Sequence, residues 1–378
     1  MKNIRLFTPF LGEEELLEIR SAFEASWVGL GPKVNAFESM WSERLGSQFS
    51  LAVNSCTAAL HLALAVYKFP KGKKVLVPAQ TFSATASAVI YNGLEPIFVD
   101  SQPKTLGIDF EDLDKKWDRD CVAVIPVHYA GHPVDMEILL EWSKQKKLKV
   151  IEDCAHTDGS VFKGKRLGTW GDIGCFSFEE KKIMTTGDGG MLSSDDEVIR
   201  SLGQPMRWVG IDKDNWKSAK SYTDKNIDAY HWFYEISELG YKYNMNDLSA
   251  SIGIAQLKKL EFINRMRSNL ISKYLERLSE HPKIELLVPY SPKLYQYQMF
   301  GIRVNKRDEL ILHLKRNGIA TGCHYTPLTL QPLFRNYRGS CPYIEHEIDR
   351  CITLPLHVNL AIDDVDYTCD KILEFFKQ

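Results

Sequence analysis

Three clusters of reactive residue types stand out along the chain. The first is Glu179-Glu180-Lys181-Lys182-Ile183-Met184, followed by the turn Thr185-Thr186-Gly187-Asp188-Gly189-Gly190. A lysine at the working edge of an apolar sheet can act as a Schiff-base amine, because desolvation lowers its pKa and frees a nucleophile. The glycines permit close backbone approach to a ligand. The alternative is a solvated hairpin with two ordinary lysines. The second cluster is Glu152-Asp153-Cys154-Ala155-His156, which follows the apolar run LKVI. An acid there could bind a metal, a ribose hydroxyl or a protonated ring nitrogen, or could cap the next helix. The third is Asn54-Ser55-Cys56-Thr57-Ala58, leading into a helical pattern. Backbone N–H groups and a hydroxyl at a helix start suit a phosphate, and suit a plain cap equally well. Phe82 adds an aromatic plate after the run VLVP. A lysine, an acid, an anion cradle and an aromatic plate together suit an aldehyde cofactor with a pyridine nitrogen and a phosphate.

These residues must be placed by regular elements. The runs VLVP (75–78), PIFVD (96–100), CVAVIPVH (121–128), LKVIED (148–153), IGCFSF (173–178) and GGMLSS (189–194) read as buried strands. Each is short and apolar and is bounded by Gly, Pro or charge. Helical patterns at 57–67 and 136–147 lie between them, so a mostly parallel sheet covered on both faces is expected. In such sheets ligands sit beyond the C-terminal strand ends, where the three clusters fall. Residues 203–236 are polar, aromatic and weakly periodic, and read as a long ordered loop at a site or interface. One long helix is expected from about 246, then a strand at 297–304, a helix at 308–318 and a closing helix from Asp363. This predicts a large domain over residues 1–250 and a smaller α+β domain over 251–378.

Composition excludes several classes. The chain has 378 residues, 25% of them charged, and a formal net charge of -2. No global basic bias points to nucleic acid. No apolar run is long enough for a membrane span, and the N-terminus lacks the apolar core of a signal peptide. A cytoplasmic protein is the expectation. The eight cysteines show no CxxC and no Cys/His zinc spacing, so buried free thiols and no metal are expected.

The stretches GPKVNAFE, NSCTAALHLAL, PAQTFSATASAV, PIFVD, HYAGHPVDM, IEDCAH, GDIGCFSFEEKKIMTTGDGG, LGYKYNMNDLSASIGIAQL, GIATGCHYTPL and ITLPLH carry a resemblance. The chain resembles the DegT/DnrJ/EryC1/StrS sugar aminotransferases over nearly its whole length. These are pyridoxal 5'-phosphate (PLP) enzymes of fold type I. The resemblance implies an α/β large domain with a mostly parallel seven-stranded sheet between helices, plus a smaller C-terminal α+β domain. The family's lysine segment, S-F-x-x-x-K-x-x-T-T-G-[ED]-G-G, counted from Ser177 makes Lys182 the Schiff-base residue, not Lys181.

The resemblance implies further roles. Asp153 would pair with the pyridinium nitrogen, His156 with the phenolic oxygen, and Phe82 would stack on the ring. Thr57, the Ala58 N–H and Ser177 would hold the phosphate. Asn244, or else Asn246, would reach the phosphate of a partner subunit, giving a homodimer with shared active sites. His324 falls where family members approach the sugar nucleotide, with a structural turn histidine as the alternative. The implied reaction moves an amino group to a nucleotide-diphospho keto sugar, at C4 by analogy. L-glutamate is the implied donor, released as 2-oxoglutarate, and the cofactor alternates with its amine form (PMP). Lys182 would shuttle the proton.

Three departures stand against the pattern. Cys56 replaces a common Gly, Glu179 and Glu180 make the lysine loop acidic, and the 203–236 excursion is long. The rival readings are a sugar dehydratase of the same fold, which would carry histidine in place of Lys182, a cyclitol or amino-acid aminotransferase, and a non-catalytic PLP-binding regulator.

Overall fold

The computed structural model describes residues 2–211, 234, 236, 238–337 and 339–377. Helices α1 (Glu13–Glu24) and α2 (Pro32–Leu45) precede the first strand, β1 (Phe49–Val53). Then follow α3 (Cys56–Ala65), β2 (Lys74–Pro78), α4 (Ser83–Tyr91), β3 (Glu95–Val99), α5 (Phe110–Lys116), β4 (Cys121–Val124), α6 (Met136–Lys146) and β5 (Lys149–Asp153). A small hairpin of β6 (Val161–Phe162) and β7 (Lys165–Arg166) leads to β8 (Ile173–Ser177), β9 (Gly190–Ser194) and α7 (Glu197–Met206). The C-terminal part holds α8 (Asp247–Lys258), α9 (Leu260–Leu278), β10 (Glu285–Leu286), β11 (Phe300–Arg303), α10 (Arg307–Arg316), α11 (Pro342–Glu347), β12 (Cys351–Leu354) and α12 (Ile362–Lys377).

Seven strands form one sheet in the order β1-β9-β8-β5-β4-β2-β3. The pairs from β8 through β5, β4 and β2 to β3 are parallel, while β9 runs antiparallel to both β8 and β1. Alternation along the strands explains the two-sided burial. Leu51, Val53, Val75 and Val77 enter one apolar cluster with α3 and α4. Their neighbours face the other way, Ala52 into a cluster with α2 and α8, and Leu76 into one with α5 and α6. With both faces covered by helices, the strands read as continuous apolar runs. The second sheet is antiparallel, β10-β11-β12.

Three expectations are adjusted. Strand β4 stops at Val124, short of 128, because Pro126 has no N–H to continue the ladder. The helix expected to run unbroken from 246 is two helices that part at Lys259. No Pro or Gly marks the break. Tertiary contacts make it: Lys259 Nζ reaches Glu15 at 2.8 Å and lies over the Phe10 ring, so the first helix is tied to α1 while the second packs on α12. The excursion begins as the last turn of α7, and Trp208 and Ile211 then bridge to Lys242 and Ile236. Residues 212–233 lie outside the described residues.

The N-terminal residues run beside the C-terminal part. Ile4 N–H donates to Gly318 O at 2.8 Å, and Leu356 N–H to Leu6 O at 3.1 Å. This places Phe7 against the large sheet's C-terminal edge. Among the described residues no helix is long and apolar enough to cross a membrane.

Candidate active site

The three sequence clusters converge at the C-terminal ends of β5 and β8 and the start of α3. They border one cavity of about 330 Å³, within the range of small-molecule sites, about 300–1,000 Å³. Thr57, Phe82, Asp153, His156, Ser177, Lys182 and His324 all line it. Ala58 and Asn244 do not.

The lysine loop links β8 to β9. Thr185 Oγ1 and Thr186 N–H both donate to Phe178 O, and Gly187 takes φ +83°, so the TTGDGG segment folds back as a tight turn. At Gly190 a side chain is impossible, because a Cβ would lie 2.5 Å from Cys56 N. That close approach sets β9 against the start of α3 and brings lysine loop and helix terminus together.

The turn sends its two lysines to different places. Lys181 is exposed, 3.9 Å from both Glu179 and Glu180. Lys182 turns inward, and its Nζ makes no hydrogen bond or ion pair among the described residues. It keeps some accessible surface because it faces the cavity, yet the protein surrounds it. Desolvation therefore pulls its ammonium below the ordinary range, against the opposing pull of Cys56, Glu179 and Asp153.

Asp153 lies across the cavity at the end of β5. It is 4% exposed, accepts from Thr85 Oγ1 at 2.8 Å and Ala155 N at 3.0 Å, and touches no cation among the described residues. Burial pushes its carboxyl up, and the two hydrogen bonds and Lys182 pull it back. His156 accepts from Ala130 N–H at Nδ1 (3.3 Å), which leaves the proton on Nε2, 3.0 Å from Tyr325 Oη. Burial, with Lys182 and His324 nearby, holds it well below the usual histidine range. It is a neutral donor.

Ser55 caps α3, its Oγ accepting from Ala58 N–H at 3.1 Å. The Ala58 donor is thus occupied, and the first-turn N–H groups without a partner among the described residues are those of Cys56 and Thr57. Phe82 is 56% exposed and lines the cavity. His324 Nδ1 pairs with Thr353 Oγ1 at 2.9 Å, and burial with Lys182 and Lys181 nearby lowers its pKa to about 4. Asn244 sits at the sheet edge. It bridges to Val53, and its amide pairs with Lys242 Nζ at 2.9 Å. Asn246 is committed to capping α8 through Ser249 N–H.

Two neighbours escaped the sequence reading. Tyr325 stacks on His156 and lies 5.5 Å from Phe82, and Thr85 steadies Asp153. Both stand inside the stretches GCHYTPL and PAQTFSAT, but side-chain type alone does not single them out.

Two other clusters are structural. His128, Glu152 and Cys154 lie together and buried. Glu152 there accepts from Gly168 N at 2.8 Å, Gly171 N at 2.7 Å and His128 Nε2 at 3.1 Å, so its oxygens are in use. A larger depression, about 520 Å³, is rimmed by Asp172, Asp195 and Asp196. Their carboxylates are held by Lys149 and backbone N–H groups, and no lysine or histidine lines it.

The cavity fits PLP. A buried carboxylate without a cation awaits a protonated ring nitrogen, free helix N–H groups await a phosphate, and an unpaired amine faces both. Fold and cavity together define the class: a fold-type I, PLP-dependent aminotransferase.

The chain belongs to the DegT/DnrJ/EryC1/StrS aminotransferase family, whose model matches residues 9–373. It is 37% identical over 370 residues to the uncharacterised protein MJ1066 of Methanocaldococcus jannaschii, covering 95% of this chain and 94% of that one. It is 32% identical over 380 residues to the spore coat polysaccharide biosynthesis protein SpsC of Bacillus subtilis, covering 98% and 96%. Among solved structures, Spr1654 of Streptococcus pneumoniae in its PLP form superposes with a TM-score of 0.88 at 28% identity, covering 98% of this chain and 97% of that one. Its PMP form superposes equally well, at 0.89.

Proposed function

We propose that this enzyme transfers an amino group from L-glutamate to C4 of a keto-deoxy hexose carried on a nucleoside diphosphate. The amino sugar would enter a surface polysaccharide or a glycosylated product. The observation that carries the reading is the unpaired Lys182 amine facing the buried Asp153 carboxylate across one cavity. The SpsC relative, named for polysaccharide biosynthesis, supports the sugar.

PLP, when bound, supplies an aldehyde carbon and an electron-withdrawing ring. Asp153 accepts the ring N–H and so keeps that nitrogen protonated. His156 donates from Nε2 to the phenolic oxygen. Phe82 covers one ring face. The Cys56 and Thr57 N–H groups, with the Thr57 and Ser177 hydroxyls, hold the phosphate. Ala58 joins them only if Ser55 turns away. Lys182, driven toward its neutral form by desolvation, would take the proton from the donor's Cα and give it up again within the same half-reaction, and in the second half-reaction would place a proton on the sugar carbon that receives the amine. His324, uncharged at neutral pH, lines the side where the sugar enters. Asn244, at the sheet edge, suits contact with the phosphate in a second copy of the chain. A dehydratase of this fold would carry histidine at position 182.

The test is direct. Purified enzyme, PLP and L-glutamate are incubated with a panel of UDP-, dTDP- and GDP-linked 3-keto and 4-keto deoxyhexoses. The expected outcome is stoichiometric 2-oxoglutarate and a 4-amino sugar nucleotide. Turnover of the 3-keto sugars alone would contradict the position, and turnover of keto cyclitols alone would contradict the substrate class.

A further inference from the structure

Gln298 stands just ahead of β11 and is 3% exposed. Its own backbone is firmly anchored. Its N–H donates to Ala130 O at 2.9 Å. Its carbonyl accepts from the buried Arg267 guanidinium at 2.8 Å, which also holds the carbonyls of Tyr297 and Leu356. The side chain reaches into the lysine loop, where Nε2 donates to the carbonyl oxygen of Lys181. The other end of the amide, Oε1, is buried and has no donor among the described residues. Buried amide oxygens are seldom left so.

Lys182 presents the complementary lack, a donor without an acceptor. The two residues border the same main cavity and, below it, the same small void beside Trp41 and Ser177. An amine that serves PLP would be free for part of each turnover, and a free amine needs a defined resting place.

We infer that Gln298 is the positioning residue for Lys182: Nε2 fixes the loop at Lys181, and Oε1 receives the Lys182 ammonium whenever that amine is free and protonated. This rests on the reading of Lys182 as the cofactor's amine. A hydrogen bond to a charged donor favours the charged form, so the contact opposes desolvation and keeps both protonation states within reach. The other groups facing Lys182 are Asp153 on β5, Cys56 on α3, Glu179 and Lys181 on its own loop, and His156 and His324 beyond it.

The experiment uses the full chain stripped of cofactor. Acylation of Lys182 is followed against pH by mass spectrometry of its peptide, in wild type, Gln298→Met and Gln298→Glu. Met removes the acceptor and lowers the midpoint of the profile by about one pH unit. Glu adds charge and raises it. A strap with no contact to the amine would slow acylation at every pH and leave the midpoint in place, and that result in whichever variant folds overturns the inference. Borohydride reduction of PLP-loaded wild type is run alongside. Attachment at a residue other than Lys182 would sink the reading of the site, while the titration still decides the Gln298 contact.

Discussion

Glu152 and Asp153 are neighbours on β5, both carboxylic acids and both buried, yet they serve opposite ends. Successive strand residues point to opposite faces. Glu152 turns away from the cavity, where His128 and two backbone N–H groups satisfy it. Asp153 turns toward the cavity, where a hydroxyl and one N–H leave it short of a counter-charge. Burial alone therefore marks neither a structural nor a functional acid. The distinction lies in whether the protein completes the carboxylate's bonding or leaves it to a ligand.

Exchanging each acid for its amide breaks the comparison. Asp153→Asn should cut turnover by about 10²–10³-fold, the loss that follows removal of one preorganised electrostatic partner. It should also raise the melting temperature of the cofactor-free chain, since burial disfavours the Asp153 charge. Glu152→Gln should do the reverse. Its amide would aim N–H at a backbone N–H, costing about 1–3 kcal/mol and a few degrees of melting temperature, with turnover per folded molecule near wild type. Steady-state kinetics beside calorimetry separates the two. A Glu152→Gln enzyme as inactive as Asp153→Asn would erase the distinction.

Acid sharpens it next. His324 titrates near 4 in the fold, against an ordinary value of 6.5. The unfolded chain then binds the proton first, so stability is full above about 6.5 and is lost as pH falls toward 4. His324→Gln should flatten that part of the melting profile of the cofactor-free protein. The smallest effect is expected at Phe82, whose ring contributes contact area and no charge. Phe82→Ala should weaken PLP binding by about three- to tenfold, measured by equilibrium dialysis.

The same contrast sets what could be read from the sequence. Strand runs and cluster spacing were legible because they depend on period and residue type. The choice between Lys181 and Lys182 came from the family pattern, and the structure separates them as one exposed and one inward-facing chain. The helix break at Lys259 and the support of Asp153 by Thr85 depend on partners distant in sequence, and which N–H the Ser55 cap takes up depends on a local rotamer. Periodicity carries no trace of these. The Glu152–His128 pairing was hidden for the same reason: twenty-four positions separate two residues that the parallel sheet brings together.

On the proposed reading, Lys182 alone holds the cofactor. Purified protein is loaded with PLP and reduced with borohydride, and the modified peptide is sequenced by mass spectrometry. A single phosphopyridoxyl group is expected on Lys182, absent from Lys182→Ala. Modification of Lys181, or an undiminished yield in Lys182→Ala, would contradict it.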